Sequence, residues 1–350
     1  MSTVARVQMT SRLAAPVASK ALGVSAARSF TGTARAQNKV TVVGAAGGIG
    51  QPMSLLMKLS GKIGHLSLFD IVNTPGVAAD ISHCNSFGKV TGHKGAEEMA
   101  AALDGADVVV IPAGVPRKPG MTRDDLFNTN ASIVKGIAEQ CSKSCPNACF
   151  LIISNPVNST VPIFADVLKA NGVYTPQKLM GVTTLDVCRA KTFVAENQGM
   201  DVNKVDVTVI GGHAGTTIIP LLSQQVAGAK FSEEDIKALT HRIQFGGDEV
   251  VQAKDGAGSA TLSMAHAGAY YVSMVLDGLN GASGVTACAF VENDLTDAPF
   301  FATQVTLGKD GVSKVHGFGK LSAFEQSLVD ENVPTLISQA KKGSDFVKNN

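Results

Sequence analysis

Three side chains in the second half of the sequence could carry a proton and hold a carboxylate. Asp186 and Arg189 are three residues apart in TLDVCRAK, a spacing that puts them on one face of a helix. His213 follows an apolar run, in the glycine-rich segment GGHAGTT. A histidine beside a carboxylate can take up and release a proton near neutral pH. The alternatives are an ion pair within one helix and a histidine of the core.

Two arginines lie where a parallel sheet would bind its ligand. Arg117 and Arg123 belong to the loop-like segment AGVPRKPGMTRDDLF, which follows the apolar run VVVIP. Open parallel sheets bind ligands outside the carboxyl ends of their strands, so both guanidinium groups are candidates for an anionic substrate. The alternative is that both are solvated loop charges. The prolines and glycine also suit a lid that closes over a substrate.

A glycine-rich turn near the start is typical of a dinucleotide site. GAAGGIG follows the strand-like KVTVV and precedes a helix, so its backbone can approach a pyrophosphate at the helix N-terminus. Its spacing is GxxGxxG rather than GxGxxG. Asp70, twenty residues beyond Gly50, can accept hydrogen bonds from a ribose and would repel the extra phosphate of NADP, which favours NAD. Asp70 could alternatively cap the next turn. The cofactor-binding residues predicted here are Gly44, Ala45, Ala46, Gly47, Gly48, Ile49, Gly50 and Asp70.

The elements needed to position these residues alternate between short apolar runs and helical stretches. This alternation predicts an α/β fold with a Rossmann-type doubly wound parallel sheet, whose strands are apolar throughout because both faces are covered. The predicted strands are 40–44, 65–70, 107–113 and 149–155, and helical stretches include 52–59 and 124–139.

A second region, from about residue 183, reads as a mixed α+β substrate domain. Ser232 and Asp235 form a capping-type pair before a helix, and VDVTVI resembles a strand. The other predicted elements are a helix over 261–279, antiparallel strands over 284–291 and 300–308, and a closing helix over 321–343. The predicted organisation is therefore a leader over 1–37, an NAD-binding domain over 38–182 and a catalytic domain over 183–350.

Composition narrows the partners to small molecules. The 350 residues are 45% hydrophobic and 17% charged, with a net charge of +1, and no basic stretch is interleaved with aromatics as in nucleic-acid-binding proteins. No apolar run reaches the roughly 18 residues of a membrane span. The six cysteines lack zinc-ligand spacing, which favours reduced thiols and no metal site.

The first 37 residues differ from the rest. They contain five basic residues and no acidic one, and the first acidic residue of the chain is Asp70. This composition is typical of a mitochondrial or plastid transit peptide, and we expect removal at a point between Phe30 and Asn38. A basic tail without a targeting role is the alternative. Without these five cations the net charge is −4 (+1 minus 5).

Five separated segments resemble one family. GAAGGIGQP, AGVPRKPGMTRDDLF, SNPVNST, LDVCRA and GGHAGTTIIP are similar, in this order, to the signatures of mitochondrial-type malate dehydrogenases of the lactate/malate dehydrogenase superfamily. The resemblance extends from Lys39 to the last helix. It implies reversible oxidation of (S)-malate to oxaloacetate with NAD, as in the tricarboxylic acid cycle, a homodimer and the mitochondrial matrix. A plastid or microbody destination stays open.

The resemblance also implies roles for the candidate residues. His213 would accept the proton of the substrate hydroxyl, and Asp186 would orient its imidazole. Arg189 would bind the carboxylate beside the reacting carbon, and Arg123 would polarise the carbonyl oxygen. Arg117 would bind the far carboxylate of oxaloacetate, where lactate dehydrogenases carry a glutamine.

The resemblance implies five further contacts, of which those of Asn130 and Met264 rest on it alone. Asn155 would touch both cofactor and substrate, while the peptide groups of Ile153 and Ser154 would face the nicotinamide. Asn130 and Met264 would also contact the cofactor, although a polar surface residue and a core side chain are their alternatives. Another 2-hydroxyacid dehydrogenase, such as a lactate dehydrogenase, and a non-catalytic scaffold are the competing functions.

Overall fold

A computed structural model describes residues 38–115, 123–224 and 229–350, with the side chains of 123–125 not described. The strands are β1 Lys39–Val43, β2 His65–Asp70, β3 Lys89–Lys94, β4 Val108–Ile111, β5 Cys149–Ile152, β6 Leu179–Val182, β7 Val209–Gly211, β8 Ile218–Pro220, β9 Thr286–Glu292, β10 Phe300–Gly308 and β11 Gly311–Val315. The α-helices are α1 Gly50–Leu59, α2 Thr74–Ser82, α3 Met99–Leu103, α4 Arg123–Ser144, α5 Val157–Ala170, α6 Thr184–Gln198, α7 Glu233–Ala253, α8 Leu262–Leu279 and α9 Ala323–Asn349.

The first six strands form the doubly wound sheet that the alternating pattern predicts. They are parallel neighbours in the order β3-β2-β1-β4-β5-β6. Strand order reverses between β1 and β4, and the loops at their carboxyl ends therefore diverge and open a crevice. β4, β5 and β6 are buried along their whole length, as expected for strands covered on both faces.

The same sheet continues into antiparallel strands. β9 pairs with β6 through Val182↔Ala289, and the order then runs β9-β10-β7-β8, with β11 on β10. The capping box of Ser232 and Asp235 is confirmed at the start of α7, and α8, β9, β10 and α9 confirm the other elements predicted for this region. The segments that carry Asp186 and His213 therefore follow strands of the same sheet as the glycine-rich turn after β1.

Several predicted elements differ in extent. β3, which the sequence pattern does not indicate, is a half-exposed edge strand KVTGHK with no apolar run. β4 and β5 end earlier than predicted because the chain leaves the sheet to build loops at its carboxyl edge. The strand-like VDVTVI forms a strand only from Val209 onward.

Two buried clusters lie on opposite faces of the sheet. One joins the sheet to α4, α5 and α9, and the other joins it to α1 and α8. In the described part of the chain, no helix is long and apolar enough to cross a membrane. Those residues also contain no cluster of His, Cys, Asp and Glu able to hold a metal. All six cysteines are unpaired, which fits the reduced thiols expected from their spacing.

Candidate active site

A buried carboxylate and an imidazole form the centre of the site. Asp186 lies in the first turn of α6, directly after β6, and His213 lies two residues after β7. His213 Nδ1 is 2.5 Å from Asp186 Oδ2, with side-chain exposures of 10% and 0%. Since Nδ1 faces the carboxylate, Nε2 is the ring nitrogen left to exchange a proton with a ligand.

The other oxygen of Asp186 faces a guanidinium group. Arg189 Nη1 lies 3.7 Å from Asp186 Oδ1, and the arginine side chain is 13% exposed. Burial lowers the pKa of Arg189 and Asp186 opposes this shift, but the guanidinium stays charged because its ordinary pKa is so high. Asp186 and Arg189, predicted to share one face of a helix, are therefore in contact, and the Asp186 carboxylate also contacts His213.

One glycine of α7 that sequence analysis does not single out, Gly246, leaves room for Arg189. A Cβ at Gly246 would lie 3.0 Å from Arg189 Cδ, whereas one at Gly247 would lie at an ordinary contact distance of 3.9 Å from Nη2. The only sequence signal is the pair GG inside the helical run IQFGGDEVV. Asn158 is also missed, although its Oδ1 accepts the backbone N–H of His213 at 2.9 Å.

The glycine-rich turn between β1 and α1 is built for close backbone approach. Gly44 has φ +104°, and a Cβ there would lie 2.7 Å from the Ala113 backbone. A Cβ at Gly50 would lie 2.1 Å from Gly44 O, whereas one at Gly47 meets nothing nearer than 3.5 Å. Gly47 and Gly48 are exposed. Gly44 and Gly50 thus shape the turn, while the exposed pair offers bare backbone to a ligand.

Asp70 lies at the end of β2, beside this turn. Its Oδ2 accepts the Ala46 N–H at 2.9 Å, and its Oδ1 accepts the Ile71 N–H at 2.7 Å. The second bond matches the capping alternative, yet the side chain is only half-buried and has lone pairs left for ribose hydroxyls. An anionic carboxylate against the turn fits NAD better than NADP. The residues present therefore fit a dinucleotide.

The end of β5 brings the third set of candidates to the same edge. Asn155 is exposed there, and Ile153 and Ser154 are buried. Asn130 of α4 donates from Nδ2 to Asn155 O at 2.9 Å, and its Oδ1 accepts the Val115 N–H at 2.9 Å. Asn130 thus ties the loops after β4 and β5 together, a role beyond the predicted cofactor contact.

The remaining predicted residues are placed less completely. Met264 of α8 is 5% exposed within the core cluster on the α1 side, as its core alternative expects. Arg117 lies outside the described residues. Arg123 is the first residue of α4, and its side chain is not described.

Fold and site together define an α/β protein with a dinucleotide-type glycine turn after β1 and a buried imidazole–carboxylate pair after β6 and β7. Residues 38–181 match the lactate/malate dehydrogenase, NAD binding domain, and residues 183–347 match the lactate/malate dehydrogenase, alpha/beta C-terminal domain. The chain belongs to the lactate/malate dehydrogenase family, which confirms the resemblance of its motifs.

Individual relatives cover nearly the whole chain. It is 54% identical to "Malate dehydrogenase, mitochondrial" of Felis catus over 341 residues, 97% of this chain and 99% of that protein. The malate dehydrogenase structure from Cryptosporidium parvum has a TM-score of 0.77 at 29% identity, covering 88% of this chain and 99% of that one. A lactate dehydrogenase from the same organism, complexed with lactic acid and nicotinamide adenine dinucleotide, has a TM-score of 0.75 at 27% identity, covering 88% and 98%.

Proposed function

We propose that this chain is an NAD-dependent malate dehydrogenase that interconverts (S)-malate and oxaloacetate. The observation that carries the proposal is the buried carboxylate of Asp186, which contacts both His213 and Arg189. The imidazole that exchanges a proton and the guanidinium that binds a carboxylate therefore contact the same side chain. The relatives named as mitochondrial malate dehydrogenases support the choice of substrate.

His213 acts as the base that takes the proton of the substrate hydroxyl at Nε2. Asp186 holds Nδ1 and stabilises the imidazolium that forms, and its burial strengthens that interaction. Arg189 binds the carboxylate next to the reacting carbon. When bound, NAD supplies the hydride acceptor. The residues assigned to its binding are Gly44, Ala45, Ala46, Gly47, Gly48, Ile49, Gly50, Asp70, Asn130, Ile153, Ser154, Asn155 and Met264.

Two arginines and an asparagine complete the substrate assignment. Arg117 binds the second carboxylate, Arg123 polarises the carbonyl oxygen, and Asn155 reaches the substrate from the end of β5. A monocarboxylate such as pyruvate would leave Arg117 desolvated without a counter-charge, which costs several kcal/mol. Discrimination of roughly 10³-fold follows, because about 1.4 kcal/mol corresponds to a factor of ten.

The test compares substrates and cofactors on one protein preparation. The expected result is rapid loss of NADH absorbance with oxaloacetate, roughly 10³-fold slower turnover of pyruvate, and weak activity with NADPH. Arg117→Gln should lower kcat/KM for oxaloacetate far more than for pyruvate. Equal losses on both substrates would contradict the role of Arg117, and faster turnover of pyruvate by the wild type would favour a lactate dehydrogenase.

We infer further that residues 1–37 direct the chain to the mitochondrial matrix and are removed there, leaving an NAD-binding domain over 38–182 and a catalytic domain over 183–350. The basic, acid-free composition of the segment supports this, as do the names of the relatives. Import into isolated mitochondria followed by N-terminal sequencing tests it. Recovery of the uncleaved chain outside the organelle would contradict it.

We also propose a homodimer that buries exposed apolar residues of α1 and α8. These helices pack against each other and expose Leu55, Leu56 and Leu59 of α1 and Leu262 and Tyr270 of α8. Leu262 is 72% exposed and Leu59 is 56% exposed. Apolar groups clustered on neighbouring helices are typical of a protein interface.

A further inference from the structure

The backbone of His213 is held by a side chain to which the motifs assign no role. Its N–H donates to Asn158 Oδ1 at 2.9 Å, and Asn158 is 1% exposed. Asn158 lies in the first turn of α5, three residues after Asn155. The first turn of α5 therefore connects the carboxyl end of β5, where Asn155 lies, with the loop that carries His213.

Both ends of the Asn158 amide are engaged. Nδ2 donates to Gln339 Oε1 of α9 at 2.7 Å, with a longer contact of 3.3 Å to Thr217 Oγ1. The oxygen must face His213 because only an acceptor can receive that backbone N–H. The partners thus determine the orientation of the amide.

The loop around His213 has no room to shift without disturbing this contact. Gly212 N–H donates to Thr217 O at 2.7 Å, and Thr216 Oγ1 donates to Asn332 Oδ1 of α9 at 2.9 Å. A Cβ at Gly212 would lie 2.7 Å from Asn158 Nδ2. The loop is consequently packed directly on α5 and α9.

We infer that Asn158 is a positioning residue for proton transfer: it fixes the His213 backbone so that Nδ1 meets Asp186 while Nε2 faces the substrate. The inference rests on the proposed role of His213 as base. The ring is held from α6 and the backbone from α5, so the imidazole is located by two elements at once. Precise placement of a proton-transfer group matters because small displacements reduce the rate strongly.

Asparagine suits this position better than aspartate. An aspartate could still accept the His213 N–H, and Gln339 could turn its amide to donate to the carboxylate. It would also add a second buried negative charge beside the histidine, where Asp186 and Arg189 of α6 are the charged groups in described contact. Such a charge favours the protonated imidazole.

The test therefore uses Asn158→Asp in the full-length enzyme. Malate oxidation requires the neutral imidazole, so the acid limb of the kcat/KM profile should move to higher pH by about half a unit or more. Asn171→Asp makes the same chemical change at the C-terminal end of α5 and should leave the profile in place. A profile unmoved in Asn158→Asp, with unchanged kcat, would overturn the inference.

A second variant disrupts the hydrogen bonding of Asn158 at a residue outside the active site. Gln339→Leu removes the acceptor of Asn158 Nδ2 and should lower kcat by roughly three- to tenfold with little change in KM, since effects on placement of the base act on the transition state. NADH affinity should stay the same. Unchanged kcat in this variant, with a folded protein by circular dichroism, would also overturn the inference. Absence of oxaloacetate turnover in the wild type would instead contradict the proposed function itself.

Discussion

At the scale of single residues, Asp186 joins the two side chains to which we assign proton transfer and carboxylate binding. Its Oδ2 contacts the imidazole of His213 and its Oδ1 faces the guanidinium of Arg189. A fully buried carboxylate is destabilising when it is left uncompensated, so the His213 ring and the Arg189 guanidinium also stabilise the position of the anion. The relative placement of the His213 imidazole and the Arg189 guanidinium is thereby set by one side chain.

Glycines of the turn before α1 provide the first prediction at this scale. Gly50→Ala should lower the free energy of unfolding by about 1–3 kcal/mol, because its Cβ would meet Gly44 O at 2.1 Å. Gly47→Ala should leave stability almost unchanged, since its nearest contact is 3.5 Å, an ordinary van der Waals distance. Urea unfolding measures both changes.

The Gly50→Ala and Gly47→Ala variants also distinguish an effect on folding from an effect on cofactor binding. Gly47→Ala places a methyl group on the exposed backbone of the turn and should weaken NADH binding by about tenfold or more, roughly 1.4 kcal/mol. Fluorescence titration with NADH gives the dissociation constant. If the alanine variant bound NADH as the wild type does, the turn would not be the site of the cofactor phosphates.

At the scale of elements, the edge strand β3 and its neighbour β2 each carry a histidine whose protonation disfavours the fold. His65 Nε2 lies 2.8 Å and His93 Nε2 lies 3.2 Å from Thr91 Oγ1. Burial lowers the pKa of both histidines, and the neighbouring Lys39 and Lys89 lower each further, although Glu98 opposes the shift at His93. At pH values near and just below the ordinary histidine pKa of 6.5, the unfolded chain therefore binds more protons at these two residues than the folded chain does.

We predict a loss of stability on mild acidification. Because the folded histidines resist protonation, the free energy of unfolding should fall as the pH drops from about 7 to about 5. Replacing His65 and His93 by glutamine should reduce this slope. His241→Gln, at an exposed histidine of α7 whose ring is tilted against that of Phe245, is the matched control. A slope unaltered by the double replacement would contradict the assignment.

Helix α9 shows how an element far along the chain supports the site. It packs against α5 and the loop of His213. Its Asn332 and Gln339 accept hydrogen bonds from Thr216 and Asn158. The packing of α9 and the placement of His213 are therefore linked, a connection that no single sequence motif indicates.

At the scale of the whole molecule, the exposed leucines of α1 and α8 predict self-association. Leu59→Glu should shift the chain from dimer to monomer, since a charge cannot be buried in an apolar interface without a partner. Sedimentation equilibrium over a range of protein concentrations measures the mass. Ile337→Glu on α9, which packs on the opposite face of the sheet, should leave the dimer intact. A wild-type protein that sediments as a monomer at micromolar concentration would contradict the proposal.

The sequence by itself determined the doubly wound sheet, the glycine turn with its acid, and the residue types of the site. These follow from local rules: buried strands need continuous apolar runs, close backbone approach needs glycine, and ligands gather at the carboxyl ends of strands. Edge strand β3 escaped prediction because an edge needs no such run.

Only the tertiary structure decided which side chains meet. Asp186 and His213 are 27 residues apart, and Asn158 and Gln339 are 181 apart, so no periodicity relates them. Their contacts arise because β6 and β7 belong to one sheet and α9 packs on α5. Many residues of the chain have suitable side chains, and tertiary packing determines which of them come into contact. The free energy that stabilises this packing is distributed over the whole core.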